Sequence, residues 1–136
     1  MDCKKWLLGS LAVFVVYSLL DYVIHSLILM GVYEATMSVW RPMEEYRLWI
    51  SLVKNMILAL LFVYIFTKGY EGKGIMEGVR FGLWIGLLIW VPVAYAFYNI
   101  LPIPYSIAWQ WWIYGTIQCV ICGLAASLIY KPAESK

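Results

Sequence analysis

Four apolar runs, each of about 20 residues, constrain this chain more than anything else in it. They extend roughly from Trp6 to Met30, Leu48 to Thr67, Val79 to Leu101 and Ile107 to Tyr130. The hydrocarbon core of a bilayer is ~30 Å thick and ~20 helical residues cross it, so each run is long enough to span. A water-soluble fold of 136 residues has no interior large enough to hide so much apolar surface. With 64% hydrophobic and 13% charged residues, too little polar surface remains to dissolve the chain in water. In hydrocarbon the backbone must satisfy its own hydrogen bonds, as a helix or as a closed barrel. The period-two alternation of a barrel is absent, which leaves helices.

The expected fold is therefore all-α: a membrane-spanning antiparallel four-helix bundle, one transmembrane domain over residues 1–136, because the connections are too short to hold another. The first run follows Met-Asp-Cys-Lys-Lys, an arrangement superficially like that of a signal peptide. Its apolar stretch of ~24 residues exceeds the 7–15 of a signal h-region and no small-x-small cleavage site follows, so a retained helix is expected.

Basic residues collect on the cytoplasmic side of membrane proteins. Four spans place both termini and the second connection together, with Lys4, Lys5, Lys68, Lys73, Arg80, Lys131 and Lys136. The opposite side holds Arg41 and Arg47, with Lys54 just inside the second span. Both termini are therefore expected to be cytoplasmic. The first connection, Gly31 to Arg47, is then extracytoplasmic, and Pro42-Met-Glu-Glu is suited to open a short helix with its acids at the positive end. The glycine-rich second connection, Lys68 to Gly74, lacks the GKS/T of a phosphate loop and reads as a flexible turn. Two prolines in Leu101-Pro-Ile-Pro-Tyr-Ser end the third span. No internal repeat marks half of an inverted-repeat transporter.

In lipid, close helix contact depends on small residues. Gly78, Gly82 and Gly86 form one stripe on the third span, and Gly115, Cys119, Gly123 and Ser127 another on the fourth. The stripes are expected to face each other or a second copy. Cys119 and Cys122 form a CxxC, but a thiolate deep in a span is disfavoured, and small packing residues are the better account.

The intramembrane polar residues define the candidate site. Asp21 lies ~22 Å along the first helix from Trp6, with His25 one turn beyond it. Lys54 and Asn55 lie ~10 Å inside the second span, at about the same depth. A lone carboxylate there costs ~3 kcal/mol or more, so Asp21 is expected to pair with Lys54 and to have His25 beside it. Tyr95, Asn99 and Gln110 are expected to reach the same leaflet from the third and fourth spans, with Tyr98 and Gln118 near them. The alternative is that the pair only fixes helix register. No cofactor is expected; a tetrapyrrole or metal held by His25, with Asp21 and Glu34 as further ligands, is the less favoured option. Trp109, Trp111 and Trp112 suit the outer interface as anchors.

Several stretches carry a resemblance: Asp21-Tyr-Val-Ile-His25, Tyr33-Glu-Ala-Thr with Trp40-Arg-Pro, Phe62 to Gly74, Glu77-Gly-Val-Arg-Phe-Gly82 and Leu101-Pro-Ile-Pro-Tyr-Ser106. Through them the chain resembles a family of small bacterial four-span membrane proteins with no assigned activity. The resemblance covers nearly the whole chain and implies the four-span topology and a bacterial inner membrane, but no activity. Within it, Glu77 and Arg80 are spaced to form an ion pair on one helix face.

Three functions fit these residues. The favoured one is an accessory bundle acting through partners, as a homo-oligomer or a subunit of a larger membrane complex, with no nucleic-acid partner. The alternative is a proton-coupled transporter or a ligand- or cofactor-binding membrane protein built on Asp21, His25 and Lys54. The third, an enzyme using Asp21 and His25 as acid and base, has the least behind it, and no catalytic spacing is evident.

Overall fold

The computed structural model describes residues 1–131, and among these every regular element is helical. Helix α1 covers Cys3–Tyr22 and starts at Asp2, whose carboxylate accepts the Lys5 backbone N–H at 3.1 Å. It runs without interruption into a π-helical turn, Val23–Ile28, closed by Leu29 N–H donating to the Ile24 carbonyl at 2.9 Å. A five-residue helix, α2 (Met30–Glu34), and two 3₁₀ turns, Met37–Val39 and Met43–Glu45, build the long connection. Three further long helices follow: α3 (Leu48–Lys68), α4 (Ile75–Ile100) and α5 (Tyr105–Ile129).

Four helical stretches of 26, 21, 26 and 25 residues are long and apolar enough to cross a membrane. The first ends at Ile28 rather than Met30, and the third begins at Ile75, four residues before the expected Val79. Pro42 does precede a helical turn, but it is a single 3₁₀ turn, and Tyr46 and Arg47 run extended before α3 begins. Between α3 and α4, Gly72 (φ 75°) and Gly74 (φ 79°) take the left-handed conformation that a turn this tight demands.

Contacts fix the relative directions. Trp6 donates to the Leu60 carbonyl at 3.1 Å and Asn55 donates to Ser18 at 3.2 Å, so α1 and α3 run antiparallel. Lys5 reaches the Lys131 carbonyl while Gln118 donates to the Tyr17 carbonyl at 3.0 Å, so α1 and α5 do the same. Helix α4 lies along α5, its glycines pairing in reverse order with small residues there. A Cβ built on Gly82 would sit 2.2 Å from the Cys119 carbonyl oxygen, and one on Gly123 2.0 Å from that of Gly78. The two stripes thus face each other within one chain, and Gly115 receives the ring of Trp90.

The spatial order differs from the simplest up-and-down expectation. Although α3 and α4 are consecutive and joined by a short loop, they meet through Phe81, whose ring lies 4.9 Å from Phe62 and 5.3 Å from Phe66. Helix α1 instead occupies the middle, against α3 on one side and α5 on the other. Val13, Tyr17, Val63, Phe66, Cys119 and Cys122 fill the core between them, and both cysteines are free thiols. The expected Glu77–Arg80 ion pair does not form. Glu77 turns back to accept the backbone N–H groups of Glu71 and Lys73, and Arg80 donates to its own helix at Met76. Two loop amides without other partners outcompete one exposed guanidinium.

Candidate functional site

At the end of the molecule away from the termini, a chain of polar contacts links α3, α1, α2 and α5. Lys54 Nζ is 3.4 Å from Asp21 Oδ2 and donates to Asn55 Oδ1 at 2.7 Å; Asn55 in turn donates to Ser18 Oγ at 3.2 Å. On the other side of the carboxylate, Asp21 Oδ1 lies 3.6 Å from His25 Nε2. The contact is electrostatic, being too long for a good hydrogen bond. Asp21, in the middle, is the least exposed at 21%, against 32% for His25 and 55% for Lys54.

His25 sits within the π-helical turn, and such turns recur at functional sites. Its wider spiral, followed by the break at the fully buried Leu29, folds α2 back so that Tyr33 reaches the imidazole. Tyr33 Oη is 2.7 Å from His25 Nδ1 and accepts the Trp111 indole N–H at 2.6 Å. An indole N–H only donates, so the phenol proton is left for His25 Nδ1. A neutral imidazole then carries its hydrogen on Nε2, facing Asp21. Burial pushes the Tyr33 phenol up to about 12, with the charge of Asp21 adding to the rise and the Trp111 hydrogen bond opposing it. Tyr33 therefore stays a proton donor across the neutral and mildly alkaline range.

Above this network opens a cleft of about 630 Å³. Its walls are His25, Met30, Tyr33, Met37, Trp40 and Trp111, with Glu34 and Arg41 among its charged groups. The volume lies within the ~300–1,000 Å³ usual for small-molecule sites, and apolar and aromatic walls with few polar groups are the usual lining. Trp40 is fixed by donating to Thr36 Oγ1 at 2.8 Å, and Thr36 itself donates to the Val32 carbonyl at 2.8 Å.

Asp21, His25, Lys54 and Asn55 are brought together. Tyr95, Asn99 and Gln110 are not, and their expected membership is corrected here. Tyr95 is 2.9 Å from the Tyr105 hydroxyl, Gln110 donates to Ser106 one turn back on its own helix at 2.9 Å, and Asn99 is exposed. Tyr95 and Asn99 lie on α4, which packs against α5 rather than α1, and Gln110, although on α5, is engaged by its own helix. Gln118 is buried lower down, at the Tyr17 carbonyl. Tyr33, Trp40, Trp111 and Ser18 join the site unanticipated; the one available signal was that Tyr33 and Trp40 fall in the stretches carrying the family resemblance.

No three His, Cys, Asp or Glu side chains converge as a metal site among the described residues, and Glu34 lines the cleft rather than completing a set with Asp21. An iron or copper held by His25 would have to displace either Tyr33 from Nδ1 or Asp21 from Nε2.

Fold and site together define an all-helical protein with four helices able to cross a membrane and a polar, aromatic-walled cleft at one end. No family model, curated protein or solved structure matches the chain.

Proposed function

We propose that this is a multi-pass protein of a bacterial inner membrane, with both termini cytoplasmic, that binds a small molecule at its extracytoplasmic face. The basic residues of the loop between α3 and α4, and those near both termini, support the orientation. The family resemblance supports the bacterial setting. The observation carrying the functional reading is that His25 belongs to both structures at once: it walls the cleft and touches the carboxylate of the Asp21–Lys54 pair. A ligand in the cleft thus borders an imidazole held by Tyr33 at Nδ1 and by the Asp21 carboxylate beside Nε2. An ion pair serving helix register alone needs neither the cleft nor the Tyr33–Trp111 bracket around His25.

The accessory-subunit reading keeps one supporting observation. Lys54 is 55% exposed although it lies ~9 Å inside its span, and a partner would cover it.

One experiment separates the two: native mass spectrometry of gently solubilised protein, incubated with a panel of small aromatic amphiphiles. The expected spectrum shows one small-molecule adduct per chain, lost in Trp40→Ala. Adduct-free spectra from wild type, with a second polypeptide bound instead, would replace ligand binding by the accessory role.

A further inference from the structure

We infer that the occupant of the cleft is an organic cation carrying a quaternary or substituted ammonium group, a conclusion that rests on the ligand-binding reading above. Two independent features of the cleft point there.

The first is the disposition of its rings. Tyr33 and Trp40 stand at 77° with centroids 5.4 Å apart, and Trp40 and Trp111 at 56° and 5.9 Å. All three line the cleft. Rings stacked in parallel hide one face of each against the other and turn their positive edges sideways. Rings set steeply to one another form a corner, and a corner of aromatic faces attracts a cation whose charge is spread over alkyl groups. Met30, Met37 and Met43 complete the lining with polarizable thioethers that adapt to an irregular apolar body.

The second is charge. Arg41 lines the cleft, but its guanidinium is held 3.0 Å from Glu45. Asp21 and Lys54 neutralise each other behind the wall. His25 offers the cleft no free donor at Nδ1, because Tyr33 occupies it. Glu34 is the remaining charged group on the lining, and it has no ion-pair partner among the described residues. The surplus charge is negative. An anion would have to share the Arg41 guanidinium with Glu45, whereas a cation finds an unpaired carboxylate and three rings.

An ammonium group at this level has two sources, a soluble cation or the headgroup of a neighbouring lipid. The test uses the full chain in nanodiscs of phosphatidylglycerol and equilibrium dialysis against benzyltrimethylammonium. Its uncharged carbon isostere, 2,2-dimethylpropylbenzene, is compared at equal free aqueous concentration, with empty discs as the blank. Wild type should bind the cation at least about tenfold more tightly than the isostere. Trp40→Leu should erase that preference while leaving isostere binding in place, and the exposed Glu34→Gln should weaken the cation alone, by about threefold. Equal binding of cation and isostere would overturn the ammonium assignment and leave small-molecule binding standing. Failure of both to bind protein that retains its native circular dichroism would overturn the two together. Discs containing phosphatidylcholine identify the source: loss of probe binding assigns the corner to a lipid headgroup, and unchanged binding assigns it to a soluble cation.

Discussion

The α4–α5 seam and the outer end of α1 are both built from residues unusual for an apolar helix, and they use them in opposite ways. Along the seam, glycines remove side chains until backbones touch, and the space left for a Cβ is 2.0–2.2 Å from a facing carbonyl oxygen at Gly123, Gly78 and Gly82. At the end of α1, polar groups are added and the regular spiral is loosened into a π turn, with a cleft of about 630 Å³ beside it. One region spends its special residues on contact without room for anything else. The other keeps room and surrounds it with hydrogen bonds. A shared helical scaffold thus divides rigidity from chemistry, and the difference can be tested from each side.

The largest effect is expected in the seam. Gly82→Val places new carbons against the Cys119 carbonyl and the Val120 Cα, neither of which can move as a flexible side chain does. A loss of about 3 kcal/mol in thermal or denaturant unfolding is expected. Gly9→Ala is the control, since its Cβ would meet only the Val63 Cγ1 at 3.2 Å, and it should cost under about 1 kcal/mol. Equal losses would show that the seam is no tighter than the rest of the molecule.

Removing the Lys54 ammonium should come next. Lys54→Met leaves Asp21 without its cation and is expected to cost about 2 kcal/mol, less than for a fully enclosed pair because Lys54 is 55% exposed. The double change Asp21→Asn with Lys54→Met should recover most of it. Recovery of stability together with retained ligand binding would reduce the pair to a register device. Recovery with binding lost would tie it to the cleft.

The smallest effect is expected at Tyr33. Tyr33→Phe deprives Trp111 of its acceptor and His25 of its donor, for about 1 kcal/mol. The sign of its pH dependence follows from the phenol's rise to about 12. The fold favours the protonated form, so this contribution is complete below the ordinary tyrosine value of ~10 and disappears as the pH climbs from there to 12. Alkaline absorbance titration of wild type minus Tyr33→Phe should show one phenolate forming near the upper value. Ionisation near 10 would mean that the bracket around His25 is open to water.

Much of this architecture was legible in the chain, for reasons that also mark where legibility stopped. Hydropathy found the four helices because span length is a one-dimensional property. Four-residue spacing found the glycine stripes because it maps directly onto one face of a helix. The Asp21–Lys54 contact followed from equal depth, and it held because α1 and α3 are true neighbours. Equal depth failed for Tyr95, Asn99 and Gln110, since depth carries no information about which way a helix faces or who stands beside it. Tyr33 escaped notice for another reason. It meets His25 only because the helix widens and breaks at Leu29, and nothing in Val-Ile-His-Ser-Leu-Ile announces such a turn.

The central position of α1 has a consequence for how the molecule is made. Helix α1 precedes its partners in the chain: the ammonium that meets Asp21 comes with α3, and the Gln118 contact only with α5. Until α3 is in place the Asp21 carboxylate lacks its ammonium mate, so α1 completes its contacts only when the later helices pack on it. The helix at the centre of the molecule is thus the one whose packing is completed last.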